Sequence, residues 1–120
     1  MCRSPSEESL DRLVKRARRP NDTTDIPQLR QIYTDTLDDL AKRPGDFTTA
    51  IRYIRMAAIY AAACRDNGIE YKNFVRTALV FAQEATQAVL AATPAEPIEE
   101  RVRVDEKLAE LMQRLRGIGI

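Results

Sequence analysis

The side chains that could do chemistry in this chain are few, and one absence narrows the field at once: none of the 120 positions holds a histidine. That removes the commonest general base and the commonest zinc ligand together, and argues against catalytic triads and zinc-assisted hydrolysis. Phosphate-cradling loops need closely spaced glycines ahead of a helix, whereas the four glycines stand at 45, 68, 117 and 119. Asp35, Asp38 and Asp39 in TDTLDD form the densest acidic group and share a helix face, so they could offer oxygen ligands to a divalent cation. Carboxylates crowd the solvated side of most helices, and that reading is preferred here. Glu99, Glu100, Asp105 and Glu106 alternate with Arg101, Arg103 and Lys107 and read as intrahelical pairs. Cys64 has no neighbouring base to generate a thiolate and reads as a core cysteine. Cys2 and Cys64 are the only cysteines, with no C-x-x-C spacing, so neither a disulfide framework nor a zinc site is expected. The sequence therefore points to no catalytic residue, no metal and no cofactor.

The basic residues are more informative. Arg12, Lys15, Arg16, Arg18 and Arg19 fall within eight positions although the formal net charge is only +1. Cations near a helix C-terminus complement its dipole, which accounts for some of them. Five in eight exceeds that need, and a salt-sensitive, sequence-independent contact with DNA phosphates is the chemistry such a cluster supports. An acidic protein surface is the competing partner. Arg52, Arg55, Lys72 and Arg76 would extend the cluster if the helices carrying them align.

The elements that must position these residues are helical throughout. Ser4-Pro5-Ser6-Glu7 has the makings of a capped helix start, and Leu10, Leu13, Val14 and Ala17 follow on one face until Arg19-Pro20 stops the pattern. Asp25-Ile26-Pro27-Gln28 repeats the signal for a second helix with Leu29, Ile32, Tyr33, Leu37 and Leu40 as its stripe, ending at Arg43-Pro44-Gly45. Asp46 is placed to cap a third, which Asn67-Gly68 should close with Ile69 folding back on the last turn. A fourth helix is expected over residues 71–92, and after the break Thr93-Pro94-Ala95-Glu96-Pro97 a fifth to about Arg116, with Gly117-Ile118-Gly119-Ile120 as an apolar, flexible end. The expected fold is an all-α, compact bundle of about five helices in one domain spanning residues 1–120. Within it, 1–24 form a basic N-terminal arm and connector, 25–92 the core helices, and 93–120 a C-terminal helix and tail.

The third helix is unusual because Met56 to Cys64 has no polar break, and alanines at 57, 58, 61, 62 and 63 let neighbours approach closely. It is either the axis of the bundle or a surface covered by another copy of the chain. Tyr53, Ala57, Tyr60, Ala61 and Cys64 are its packing or interface residues, with each tyrosine hydroxyl expected to reach a partner at the edge. In the last helix Val104, Leu108, Leu111 and Leu115 are spaced 4, 3 and 4, a two-helix seam. Leu108, Leu111, Met112 and Leu115, continuing into Ile118 and Ile120, are the candidate apolar patch for a protein partner. No apolar run approaches the roughly 20 residues that span a bilayer, and no charged-then-apolar leader opens the chain, so a cytoplasmic protein without membrane contact is expected.

The phrase LDDLAKRPGDFTTAIRYIR at residues 37–55, with RDNGIE at 65–70, resembles the small terminase subunits of some short-tailed phages. The MAAIYAAAC segment departs from that pattern, as do two further helices where such proteins often become acidic. The resemblance implies a non-enzymatic, ring-forming subunit that binds packaging-site DNA and regulates the motor subunit. Helices three and four would then form the oligomer, and residues 12–19 a DNA-contacting arm. The competing expectation is a protein-protein adaptor or inhibitor from a phage or mobile element that acts on a host protein.

Overall fold

The computed structural model describes residues 25–119. They form four helices, α1 (Ile26–Lys42), α2 (Phe47–Asp66), α3 (Lys72–Ala92) and α4 (Ile98–Ile118), and no strand occurs among the described residues. The helix expected between Pro5 and Arg19 lies outside the described residues, so the observed body has four helices where the whole sequence suggested about five. Short connections reverse the chain after each helix, giving an up-down-up-down order.

Local chemistry sets the helix ends. Asp25 stands at the N-cap of α1, but its backbone is already helical (φ −88°, ψ −8°) and its side chain makes no capping bond; its carbonyl accepts from Leu29 N at 2.9 Å. The capping box expected there is therefore not formed, because an N-cap side chain reaches back only from an extended backbone. Asp46 meets that condition (ψ 118°) and accepts from both the Thr49 N–H, at 3.0 Å, and the Thr49 hydroxyl. These bonds from Thr49 hold the Asp46 carboxyl below its ordinary value. A folded-state value depressed in this way stabilises the fold above the unfolded-state value near 4 and loses that contribution as pH falls through the folded one. Asp46→Ala is expected to cost about 1 kcal/mol at neutral pH. Urea unfolding should show this gap between parent and variant narrowing as pH drops below about 4.

Gly45 precedes that cap with φ +90°, and a Cβ there would lie 3.3 Å from the Ala88 carbonyl oxygen and 3.4 Å from Ala92 Cβ, so both turn and close approach call for glycine. At the other end of α2, Gly68 (φ +71°) donates to Arg65 O at 3.2 Å and Ile69 to Cys64 O at 2.8 Å, the two bonds of a Schellman stop. Ile69 is half-buried against the core, as its position in the sequence suggested.

α2 is the axis. It packs against α1, α3 and α4, while α3 and α4 also pack on each other. Ala50, Tyr53, Ile54, Ala57 and Ala61 are fully buried, and Met56, Ala63 and Cys64 nearly so. Most of the apolar surface of this helix is thus covered by its own chain, while Ile51, Ala58, Ile59 and Ala62 remain half-buried. The C-terminal end differs from expectation: α4 continues through Gly117 to Ile118, and a Cβ on Gly119 would fall 2.8 Å from Val75 Cγ1. Gly117 weakens a helix, but the half-buried Ile118 and the close approach of Gly119 to Val75 of α3 tie this end to the body.

Candidate functional site

The basic residues proposed for phosphate contact, Arg12, Lys15, Arg16, Arg18 and Arg19, lie outside the described residues. Their suggested extensions are spread along the α2–α3 hairpin. Arg52 and Arg55 are exposed in the first half of α2, while Lys72 and Arg76 are exposed at the start of α3, beside the far end of α2. At 1.5 Å per residue, Arg52 stands roughly 20 Å along the axis from that end. The connection after α2 turns the chain back, so Arg52 lies well away from Lys72, while Arg55, near the middle of α2, is about 10 Å along the axis from Arg76.

The packing residues assigned to α2 do meet, inside the body. Tyr53 is fully buried and its hydroxyl lies 2.9 Å from that of Tyr33 on α1, while their rings pack tilted with centroids 5.5 Å apart. Tyr60 accepts a 3.0 Å hydrogen bond from Arg30 Nε and packs edge-on with Phe74 of α3 at 5.1 Å. Tyr33 completes the group against Phe74 at 4.8 Å. Each tyrosine hydroxyl has the partner that its burial demands. Burial raises the phenols of Tyr33, Tyr53 and Tyr60 above their ordinary value, in Tyr60 against the opposing pull of Arg30. Burial also raises the Cys64 thiol, although a hydrogen bond with Tyr60 and the Arg30 charge pull the other way. At neutral pH this cysteine is a protonated thiol packed in the core, which is no setting for nucleophilic work.

On α4, Leu108, Leu111 and Leu115 are buried and Met112 and Ile118 half-buried, all within the chain's own core. The exposed patch expected from their spacing is not present, because α2 and α3 occupy the seam. What α4 does expose is Ile98 and Val102, on the opposite side and at its beginning. The aspartates of α1 are exposed, with Asp35 accepting from Gln31 at 3.0 Å, and no three carboxylates or cysteines gather to hold a metal among the described residues.

Two arginines have roles that spacing did not suggest. Arg30 joins α1 to α2 through Tyr60, a partner thirty positions away. Arg101, grouped above with its acidic neighbours, instead donates through one nitrogen to Leu90 O (2.8 Å) and Thr93 O (3.0 Å), closing the C-terminal end of α3. A cation on these carbonyls also answers the negative end of the helix dipole. Arg101→Met should therefore cost about 1.5–3 kcal/mol, the range for hydrogen bonds to charged groups. An unchanged urea midpoint would mean that the contact contributes nothing to stability.

A concavity lies between α1 and α3 among the described residues. α1 and α3 flank α2 and touch where Tyr33 meets Phe74 and again where Gly45 approaches Ala88 and Ala92. Between those contacts lies an open groove of about 280 Å³, lined by Leu37, Leu40, Ala41, Pro44, Phe81, Ala85 and Ala88, with Glu84 as its one charged residue. Alanine at 41, 85 and 88 is what leaves this space unfilled.

The described residues thus make a four-helix body with an internal aromatic cluster. Comparison with protein families, with curated proteins and with solved structures finds no match to this chain. None of the helices among the described residues is long and apolar enough to cross a membrane.

Proposed function

We propose that the chain is a non-enzymatic binding protein whose basic segment, Arg12 to Arg19, contacts the phosphate backbone of DNA while the four-helix body serves as its platform. The observation that carries this reading is the density of that segment, five cations in eight positions on a chain of net charge +1. In its most specific form the proposal is a phage DNA-packaging subunit of the small-terminase kind, self-associating and acting on packaging-site DNA in the host cytoplasm. Support for that form comes from the phrases at residues 37–55 and 65–70. Copies would then meet through surfaces other than Tyr53, Ala57 and Ala61 of α2, which are fully buried within the chain. The adaptor reading loses the surface on which it rested, since Leu108, Leu111 and Leu115 are core residues.

Fluorescence anisotropy of a labelled duplex, titrated with the full chain at several salt concentrations, tests the proposal. Binding whose logarithm falls linearly with log salt, with a slope of about −4.5 for five phosphate contacts, is the expected result. Absence of binding at about 50 mM salt, where phosphate contacts are strongest, would remove the proposal.

A further inference from the structure

We propose that the groove between α1 and α3 is the docking site of the chain's own N-terminal segment, with Leu10, Leu13, Val14 and Ala17 entering it in cis. The inference concerns the apolar stripe of that segment and does not rest on DNA binding.

The groove asks for an apolar occupant of limited length. Its lining is aliphatic and aromatic apart from Glu84, and Val80, one turn earlier on the same ridge of α3, is 56% exposed. A soluble helical body seldom leaves such a stripe to water without something to cover it. Residues 1–24 lead directly into α1, and the first apolar pattern in them is the stripe from Leu10 to Ala17. As a helix this stripe would be about 10 Å long, and the stretch of α3 that lines the groove, from Phe81 to Ala88, has the same length.

The reach is sufficient. Leu40 lies about 22 Å along α1 from Asp25. The residues between Ala17 and Asp25, drawn out at about 3.3 Å each, cover roughly the same span. A segment turning back at Asp25 and running antiparallel to α1 would therefore bring Ala17 and then Leu13 beside the groove.

Charge favours the same occupant. Glu84 stands in the groove, and Asp38, one turn before Ala41, is exposed on α1. The stripe Leu10–Ala17 is flanked in sequence by Arg12, Arg16 and Arg18. Cations beside an apolar stripe match carboxylates beside an apolar groove, and the attraction would weaken with salt.

The test uses the full chain with Val80→p-benzoylphenylalanine, a photoreactive side chain at the rim that leaves the groove itself unaltered. After irradiation, cross-linked peptides are mapped by mass spectrometry. The proposal expects cross-links within one chain to residues 10–17, and a fall of about tenfold in their yield when Leu13→Asp is added, as the loss of one buried leucine implies. Circular dichroism should show the helical body unchanged in both variants. Arg16→Glu should give a smaller decrease that disappears in high salt. Cross-links to other segments only, cross-links found only between two chains, no cross-links, or a yield indifferent to Leu13→Asp would each overturn the assignment.

Discussion

Tyr53→Ala should lower the thermal midpoint of the protein by about 20 °C, the largest effect expected of any single substitution proposed for this chain. The side chain is fully buried at the centre of α2, its hydroxyl bonded to Tyr33 and its ring against Tyr33 and Phe81. Removing a large buried aromatic costs about 3–5 kcal/mol through the forfeited transfer energy and the cavity left behind. The Tyr33 hydroxyl would also be deprived of its partner, a further penalty of about 1–3 kcal/mol where the site cannot admit water. Against a total stability of roughly 5–15 kcal/mol, the variant would stand near the edge of folding. A midpoint shift of about 4–8 °C per kcal/mol for a body of this size, applied to the low end of that cost, gives the figure above as a minimum.

Tyr53→Phe separates the two contributions, because it keeps the ring and removes only the hydroxyl; it should cost about 1–3 kcal/mol. The pH dependence follows from the same burial. The phenols of Tyr33 and Tyr53 are raised above their ordinary value near 10, so their contribution to stability is complete below that pH. It is lost as pH rises above about 10, where the unfolded chain ionises and the folded one resists. Tyr53→Phe should flatten this alkaline limb, a change that chemical unfolding at about pH 9, 10 and 11 would register.

The second large effect concerns binding. Arg16→Glu combined with Arg19→Glu should weaken affinity for duplex DNA by at least about tenfold at moderate salt and reduce the salt slope by about 2, since each phosphate that is no longer neutralised takes away roughly one unit. Sequence preference should be unaffected, because such contacts carry affinity and not base readout. The thermal midpoint should stay within about 2–4 °C of the parent, as both residues lie outside the core described above. Unchanged DNA affinity in this double variant would detach function from the basic segment altogether.

What could be read beforehand was local. The Asp46 cap, the Asn67-Gly68 stop and the return of Ile69 each depend on a few consecutive residues, and each is present. The axial place of α2 was legible as one of two outcomes, because a helix without a polar face must be covered; only the packing shows that α1, α3 and α4 supply the cover. The stripe on α4 misled for the same reason in reverse. Leucines spaced 4, 3 and 4 look identical whether they meet a neighbour in the chain or a partner outside it.

Long-range pairs left no trace in the sequence. Arg101 is surrounded by Glu99, Glu100 and Asp105, yet it serves the carbonyls of Leu90 and Thr93 on the preceding helix. Arg30 looks like one more solvated charge until Tyr60 is placed beside it. The groove is invisible in the same way, since the alanines that create it come from two helices separated by α2.

The most direct test of the central claim, a helical body carrying a basic segment that contacts nucleic acid, is a heteronuclear NMR titration of the full chain with a short duplex. Large perturbations of residues 12–19, with the amides of α2 nearly unmoved, are the predicted result. Perturbations confined to the helical body, or none at low salt, would contradict it.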